Sequence, residues 1–590
     1  MIPIASIIGV IAFAADGLPN ADHWAYQPLM PIEPSAGVHP IDGFVGEHLE
    51  QAGLKSNPPA DRRTLIRRLY FDLHGLPPTP EAIDSFLADS TDDDAAVASL
   101  IQQLLGEPAY GERWARHWLD VVRYSESQGF ERDKFRPNFW HYRDYVIQSF
   151  NSDKPYKRFA QEQVAGDVLQ PFTKEAIIAT GFLVAGPWDE VGNSQKSQVM
   201  KRRVREEDLE DVIAVVGQTF LGVTINCARC HDHKFDPISA KDYYAFKAVF
   251  EGIRHGERDA FGEKVYAANR QDPGPTHFLE RGDTNLQGEV IAPAGLSALS
   301  GDLGLAPTVK DAERRLKFAE WLTAEENPLF ARTIVNRIWH YHFGAGLVKT
   351  PNDLGVSGGD PSHPELLDWL AAEFVRQGYS LKKLHTLILT SQTWRQSSDS
   401  QPAAAEKDAD NRLLWRFAPK RLEAEAMRDS MLAISGELNR KVGGPSVQPF
   451  DLVIDNTHFY TFKDSGEPEF NRRTIYRAQI ASLRDSLMDS LDCPSIGLKA
   501  PARSETATPV QALSLMNNSF VDRQCQKFAE RLVAENPRSF KAQIKRAFLL
   551  ALGRSPTAEE MEKSVALRGE HSLEEVCWAL LNSTEFIFVR

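Results

Sequence analysis

The sequence predicts a mainly α-helical protein in which two helical domains are joined by an irregular or β-ribbon segment. The chain has 590 residues, which is too long for one compact core at roughly 100–200 residues per domain. Apolar residues recur at three- and four-residue spacing through most of residues 61–254 and 306–590, as is typical of helices. Residues 255–305 are rich in Gly and Pro and keep no helical period, so we expect the domain boundary there.

The chain begins with an apolar segment. Residues 2–15 are apolar or small, and Ala12-Phe13-Ala14 fits a small-x-small cleavage site, which predicts a signal peptide over residues 1–15. No Lys or Arg precedes the segment, so a simple apolar N-terminus is the alternative. No other stretch is long and apolar enough to cross a bilayer. We therefore expect an exported, periplasmic protein with no transmembrane segment in the mature chain.

The elements after this segment follow from capping and turn residues. Residues 16–60 are rich in Pro and weakly periodic, and we interpret them as an extended arm. Asp61 is placed to cap a first helix, which Gly75 ends. Thr79 followed by Pro, and then Asp92, predict the starts of two more helices. Further helices are predicted in the second domain from Asp311 onwards.

Composition and charge exclude several classes of protein. The chain is 42% apolar and 25% charged, as in ordinary globular proteins, which excludes disordered, collagen-like and polytopic membrane chains. The formal net charge is −14, so we expect no nucleic-acid partner. The five cysteines are too few and too odd in number for a disulfide framework.

Two of the cysteines form the most informative motif of the chain. Cys227-Ala-Arg-Cys230-His231 has the C-x-x-C-H pattern. Two thiols on one turn add to the two vinyl groups of haem as thioethers, and the adjacent imidazole then reaches the iron. The motif predicts one covalent haem c attached at Cys227 and Cys230, with His231 as the proximal iron ligand. Since c-type attachment occurs outside the cytoplasm, the motif and the predicted signal peptide support each other.

Three other interpretations of the motif stay open. Cys227 and Cys230 could form a disulfide or a redox pair, although a thioredoxin-like pair needs a strand before it and a long helix at the motif. A zinc site would need two more ligands, and the sequence has no second C-x-x-C. The pair could also have no role. The sixth iron ligand is not determined; the side chains considered for it are Met200, His117, His141, His340 and His342.

The residues around the motif resemble a known family. Phe220-Leu-Gly-Val-Thr-Ile-Asn-Cys-Ala-Arg-Cys-His-Asp-His-Lys-Phe-Asp-Pro-Ile238 is similar to the planctomycete cytochrome-associated DUF1549 (PSCyt2) domain. Tyr110-Gly-Glu-Arg-Trp-Ala-Arg-His-Trp-Leu-Asp120 carries the same resemblance upstream. In the second half, Val335-Asn-Arg-Ile-Trp-His340 and Thr390-Ser-Gln-Thr-Trp-Arg395 resemble the partner DUF1553 (PSD1) domain.

The resemblance implies an exported haem protein and supplies no established reaction. It places a haem c-binding helical domain at residues 61–254 and a DUF1553-like helical domain at 306–590. It implies a redox partner protein, a secreted DUF1501-type partner and a glycan-derived substrate. The sequence departs from many relatives in two ways: it has a single C-x-x-C-H motif, and its 255–305 segment is too short for a carbohydrate-binding insert.

The polar residues near the aromatic stretch supply weaker candidates for catalysis. Tyr124, Glu126 and His117 are candidate acid–base groups at a haem edge, and caps or ion pairs at a helix end are the alternative. The sequence favours a haem-dependent oxidoreductase acting on a small organic or sugar-derived substrate. The alternatives are an electron-transfer or docking protein for a separate secreted enzyme, and a non-haem structural or glycan-associated protein with a Cys227–Cys230 disulfide.

Overall fold

Helices dominate the structure, a computed structural model that describes residues 18–567 and 572–590. About 51% of the protein is helical, and the sheets are few and short, which confirms the mainly α class. The predicted signal peptide, residues 1–15, lies outside the described residues. Within the described ranges, no helix combines the length and the apolar character needed to cross a membrane.

The helices before residue 255 begin at the caps that the sequence indicates. Asp61 accepts the amide of Thr64 and caps α2, and Thr79 and Asp92 cap α3 and α4. Their bounds are α1 Pro40–Gln51, α2 Arg62–Leu73, α3 Pro80–Ala88, α4 Asp93–Gly106, α5 Pro108–Val121, α6 Trp140–Asn151, α7 Tyr156–Ala165, α8 Lys174–Ala179, α9 Glu190–Asn193, α10 Gln198–Val216 and α11 Ala240–Phe250.

The remaining helices fill the second half of the chain. Their bounds are α12 Asp311–Leu322, α13 Pro328–Phe343, α14 Pro364–Arg376, α15 Leu381–Leu389, α16 Gln392–Arg395, α17 Pro402–Lys407, α18 Ala424–Ser435, α19 Ser486–Ser490, α20 Pro509–Asn517, α21 Ser519–Glu535, α22 Phe540–Leu552, α23 Ala558–Ala566, α24 Ser572–Leu581 and α25 Thr584–Ile587. Capping boxes at Thr508 and Thr557 start α20 and α23.

Among the described residues, the strands pair only as two-stranded antiparallel ribbons. Three ribbons occupy the Gly- and Pro-rich segment, β1 with β4, β2 with β3 and β5 with β6. Two more pair β7 with β10 and β8 with β9. The bounds are β1 Ile253–Arg254, β2 Glu257–Ala260, β3 Glu263–Tyr266, β4 Asn269–Arg270, β5 Thr276–Leu279, β6 Gln287–Ile291, β7 Lys420–Arg421, β8 Phe450–Ile454, β9 His458–Phe462 and β10 Phe588–Val589.

The N-terminal arm differs from the extended segment that the sequence predicts. Residues 40–51 form α1, because Pro40 occupies the first helical position and Ile41, Phe44, Val45 and Leu49 bury one face. This face packs near α14 and α16 in the second half of the chain. This helix is not predicted from the sequence, because Pro and Gly flank its apolar residues.

The hydrophobic core is divided at a different place from the 255–305 segment. The larger cluster contains residues from Ala25 to Phe417, together with Ile475 and Tyr476. A second cluster joins α18, α21, α22 and α24 between Leu422 and Val589, and it includes Phe71 on α2. The larger cluster therefore has members on both sides of the 255–305 segment, and the arrangement in two separate helical domains stays a prediction.

Candidate functional site

The C-x-x-C-H motif follows an abrupt end of α10. Helix α10 passes into one π-helical turn, Gly217–Leu221, and Gly222 then adopts φ +60°. A Cβ at Gly222 would come within 2.5 Å of Leu354 Cδ1, so only glycine fits this turn. A 3-10 turn, Ile225–Arg229, comes next and carries the first half of the motif.

The 3-10 turn separates the motif into a buried and an exposed side. Ile225 and Ala228 are fully buried in the larger hydrophobic cluster. Cys227, Cys230 and His231 are exposed. Both cysteines are free thiols. The apolar contacts of the buried side therefore fix the turn, while its two thiols and its imidazole remain accessible to solvent and to a ligand.

His231 presents a defined nitrogen to solvent. Its Nδ1 lies 2.7 Å from the carbonyl oxygen of Asp232. A carbonyl only accepts, so Nδ1 carries the proton and Nε2 holds the free lone pair. Asp232 is itself held, because its Oδ1 accepts the amide of Ala240 at 2.8 Å at the start of α11. This is the tautomer that an imidazole needs when Nε2 binds a metal.

His233, the histidine that follows the motif, has a structural role. His233 is 6% exposed, and its Nδ1 accepts the amide of Asp236 at 2.8 Å. Asp236 is fully buried, and its Oδ1 accepts the amide of Val356 at 2.9 Å. The loop after the motif is therefore tied to the second half of the chain, and His233 is used in holding it.

Arg229 and Tyr244 fix the end of the 3-10 turn. The guanidinium of Arg229 pairs with Glu210 on α10. The hydroxyl of Tyr244 on α11 donates to the carbonyl oxygen of Arg229 at 3.0 Å and to that of Leu279 at 3.2 Å. The motif is thus held between α10, α11 and the ribbon that begins at β5.

An open pocket of about 1250 Å³ lies beside the thiols. Val199 and Met200 on α10 line it and are 46% and 43% exposed. The other residues at the pocket are mostly polar: Arg203, Glu207, Glu210, Asn226, Cys227, Arg229, Cys230, His231, Gly282, Asp283, Thr284 and Asn285. Arg203 and Arg229 are each paired with a glutamate, at 3.2 Å between Arg203 and Glu207.

Gly282 is a residue of this site that the sequence does not reveal. It has φ +73°, and a Cβ added there would come within 3.0 Å of Cys230 Sγ and 3.6 Å of Arg229 Nε. It belongs to the loop between β5 and β6, far from the motif in the chain. No local sequence pattern marks Gly282, because it meets Cys230 only when distant parts of the chain pack together.

Tyr124 and Glu126 lie together, away from the motif pocket. The Tyr124 hydroxyl donates to Glu126 Oε1 at 3.0 Å, and Ser446 Oγ donates to the same oxygen at 2.6 Å. The amide of Gln479 donates to Glu126 Oε2 at 3.1 Å. Burial raises the pKa of the Glu126 carboxyl, against the lowering effect of Arg143. Neither Tyr124 nor Glu126 is among the residues lining the motif pocket.

His117 occupies a third environment. Its ring stacks on that of Tyr341 with 3.8 Å between centroids, and its Nδ1 lies 3.9 Å from Glu423 Oε1. Burial, with the charges of Arg113 and Arg503, holds its pKa well below the usual value. Of the five side chains considered as sixth iron ligands, Met200 lines the motif pocket, whereas the four histidines are buried elsewhere.

Within residues 18–567 and 572–590, no group of three or more His, Cys, Asp or Glu side chains is arranged to hold a metal ion. A haem attachment does not require such a group, because the porphyrin supplies four of the iron ligands. The demands on the protein are two accessible thiols and one accessible imidazole nitrogen. Cys227, Cys230 and His231 meet these demands.

Two protein families match this chain. PSCyt2, a protein of unknown function (DUF1549), matches residues 40–255. PSD1, a protein of unknown function (DUF1553), matches residues 314–567. The chain belongs to this family pair. The motif thus lies in the DUF1549 region, and Gly282 lies between the DUF1549 and DUF1553 regions. The comparisons with curated proteins and with solved structures gave no match.

Proposed function

We propose that this DUF1549–DUF1553 protein is an exported c-type haem protein that transfers electrons. The observation that carries the proposal is the arrangement of the motif: two free, exposed thiols and an exposed imidazole with its Nε2 lone pair available, all at one open pocket. Two free thiols beside an available imidazole nitrogen are suited to the covalent attachment of haem c.

Each residue of the motif has a separate task in this proposal. Cys227 and Cys230 would hold the porphyrin by thioether bonds, and His231 would bind the iron through Nε2. The carbonyl oxygen of Asp232 keeps the Nδ1 proton of His231 in place and so orients the ring. Gly282 leaves space beside Cys230. A haem bound here supplies one-electron redox chemistry at its iron.

The position of the motif favours electron transfer over catalysis on a substrate of its own. The cysteines are exposed and the pocket is open, so a redox centre attached there stays close to the surface, where a partner protein can approach it. Met200 lines this pocket and offers a thioether as the sixth ligand, and methionine–histidine ligation is typical of electron carriers. The redox partner and the secreted DUF1501-type partner implied by the resemblance remain part of the proposal.

A haem-dependent oxidoreductase acting on a small organic or sugar-derived substrate is the second candidate. It is favoured by the polar lining of the same pocket, where Asn226, Thr284 and Asn285 offer hydrogen bonds to a hydroxyl-rich molecule. The two candidates differ in the sixth iron position. A firmly held methionine favours the carrier, and an open position favours the oxidoreductase.

The proposal is tested by producing the full chain in a periplasm with a c-type maturation system. The purified protein is expected to keep haem through denaturing electrophoresis and to give the pyridine haemochrome of two thioethers. Cys227→Ala or Cys230→Ala should abolish covalent haem, whereas Cys525→Ala, at a buried cysteine of the second hydrophobic cluster, should leave it unchanged. A haem-free protein with Cys227 and Cys230 joined in a disulfide would overturn the proposal and favour the structural alternative.

A further inference from the structure

A second pocket lies between the two family regions, away from the motif. It has a volume of about 620 Å³ including its open mouth. Its walls come from α2 and α5 on the DUF1549 side and from the end of α13, β7 and the start of α18 on the DUF1553 side. The residues are Arg68, Phe71, Asp72, Arg113, His340, Tyr341, Gly344, Lys420, Arg421, Leu422, Glu423, Ala426, Arg503, Glu505 and Val589.

Cations outnumber carboxylates among the residues that line this pocket. Five of its side chains are Arg or Lys and three are Asp or Glu, in a protein of net charge −14. Among the residues that the structure describes, Lys420 has no carboxylate partner, and its Nζ donates to the carbonyl oxygens of Tyr341 and His342 at the end of α13, both at 2.9 Å. Burial raises the pKa of the Glu505 carboxyl, against the lowering effects of Lys420 and Arg421. Arg113, Arg421 and Arg503 are each paired with a carboxylate, so the argument for a ligand rests on the donors that these pairs leave unused.

Arg421 has buried donors without partners. Its side chain is 6% exposed, and only Nη2 is engaged, with Asp492 Oδ2 at 2.7 Å and the carbonyl oxygen of Leu491 at 3.1 Å. Its Nε and Nη1 are buried and have no hydrogen-bond partner among the described residues. Asp492 is shared, because it also accepts from Thr506 and Gln511. Buried donors without partners are unfavourable and point to a missing acceptor.

Other side chains of the pocket also carry buried polar atoms without a hydrogen-bond partner. Arg113 Nε, His340 Nδ1 and the hydroxyl of Tyr341 are buried and lack partners among the described residues. Burial raises the pKa of the Tyr341 hydroxyl, which therefore keeps its proton and donates. Burial, Lys420 and Arg337 lower the pKa of His340 to about 4, so its ring is neutral at pH 7 and one nitrogen donates. A ligand that only accepts hydrogen bonds would satisfy Arg113 Nε and the hydroxyl of Tyr341.

We infer that this pocket binds a small oxyanion, with Arg421, Arg113 and Tyr341 as its donors. A carboxylate, sulfate or phosphate group has several oxygens that can accept hydrogen bonds from these unpartnered donors. The anion would join α5 of the DUF1549 region to β7 of the DUF1553 region. The inference does not depend on haem, because the pocket and the motif pocket share no residue.

The test is ligand-dependent stabilisation of the full chain, measured as the melting temperature and by titration calorimetry. Sodium sulfate, phosphate, acetate and glucuronate are compared with sodium chloride at equal ionic strength, and glucose is the uncharged control. At least one oxyanion is expected to raise the melting temperature saturably. Preference for sulfate or phosphate would identify an inorganic ion site, and preference for glucuronate an organic acid site. No saturable shift beyond chloride would overturn the inference.

Variants locate the binding. Arg421→Gln is expected to lower the affinity for the oxyanion at least tenfold, because a hydrogen bond to a charged group contributes about 1.5–3 kcal/mol. Tyr341→Phe removes only an unpartnered hydroxyl, so it should fold and still weaken binding severalfold. Tyr156→Phe removes another buried hydroxyl without a partner among the described residues, outside the pocket, and should change nothing. Equal affinity in Tyr341→Phe and Tyr156→Phe would place the ion elsewhere and overturn the inference.

Discussion

Gly282 lies against Cys230, with no room for a side chain between them. Gly282 has φ +73°, and a Cβ there would stand 3.0 Å from Cys230 Sγ, closer than nearly all Cβ contacts allow. The second thiol of the motif is therefore accessible because a loop from between β5 and β6 passes it with bare backbone.

Gly282→Ala is expected to lower the amount of covalent haem severalfold. The added methyl group would crowd Cys230 Sγ, the atom that would form the proposed thioether. The measurement is haem absorbance per protein after periplasmic maturation. Gly304→Ala is the matched control, since Gly304 has φ +63° and nothing within 4 Å of a Cβ, so it tests backbone strain alone. Equal haem content in the two variants would show that the contact with Cys230 is unimportant.

Met200→Leu is expected to change the ligation of the iron while leaving haem attached. Leucine keeps the size of the side chain and removes the sulfur. The oxidised protein should lose the charge-transfer band of methionine-ligated ferric haem, and its reduction potential should fall. Val199→Ala, at the neighbouring exposed position, should preserve both. An unchanged EPR and optical spectrum in Met200→Leu would remove Met200 as a ligand.

Glu126→Gln is expected to destabilise the protein by about 2–3 kcal/mol and to leave haem attachment intact. Three donors converge on the Glu126 carboxylate, from Tyr124, Ser446 and Gln479, and the amide group of glutamine would turn a donor towards one of them. Denaturant unfolding measures the loss. Tyr124→Phe removes a single donor and should cost about 1 kcal/mol. A loss of redox turnover with unchanged stability would instead support the catalytic interpretation of Glu126.

Stability is expected to fall as the pH drops from about 6.5 towards 4, partly because of His340. Burial, Lys420 and Arg337 lower its pKa from 6.5 to about 4 in the folded protein. Between these values the unfolded chain binds a proton that the folded chain does not, so unfolding becomes more favourable as pH decreases. At about 1.4 kcal/mol per pKa unit, this group accounts for at most about 3.5 kcal/mol. His340→Gln should flatten the pH dependence of unfolding, and parallel curves for both proteins would contradict this account.

Local features of the fold were predictable from the sequence because they depend on neighbouring residues. Asp61 caps α2 as predicted, accepting the amide of Thr64 at 3.0 Å. The ribbons of residues 255–305 lie where the helical period is lost. The hairpin of β8 and β9 was missed, because its Gly- and Pro-rich flanks resemble a plain loop.

Features that depend on distant contacts were not predictable. Nothing in the sequence pairs Gly282 with Cys230, or Glu126 with Ser446 and Gln479, since these contacts arise only after the helices pack. The pocket proposed to bind an oxyanion is also unpredictable from the sequence, because its donors come from α5, α13 and β7. Arg421 and Arg113 are ordinary surface-type residues in the sequence, and only burial reveals their missing partners.

Arg503→Met is expected to cost about 3–5 kcal/mol of stability at pH 7. The Arg503 side chain is 5% exposed and pairs with Asp120 at 2.7 Å and Glu425 at 2.5 Å. Without it, Arg116 would be left to pair with both buried carboxylates. Burial raises the pKa of the Glu425 carboxyl, but the charge and hydrogen bonds of Arg503 outweigh this and the pKa is lowered to about 2. That stabilisation is present above the unfolded pKa and is lost as pH falls towards 2, so the cost of Arg503→Met should shrink at pH 3. Arg203→Met, at an exposed pair, should cost less than about 0.5 kcal/mol. A pH-independent difference in unfolding free energy would show that Arg503 stabilises by packing alone.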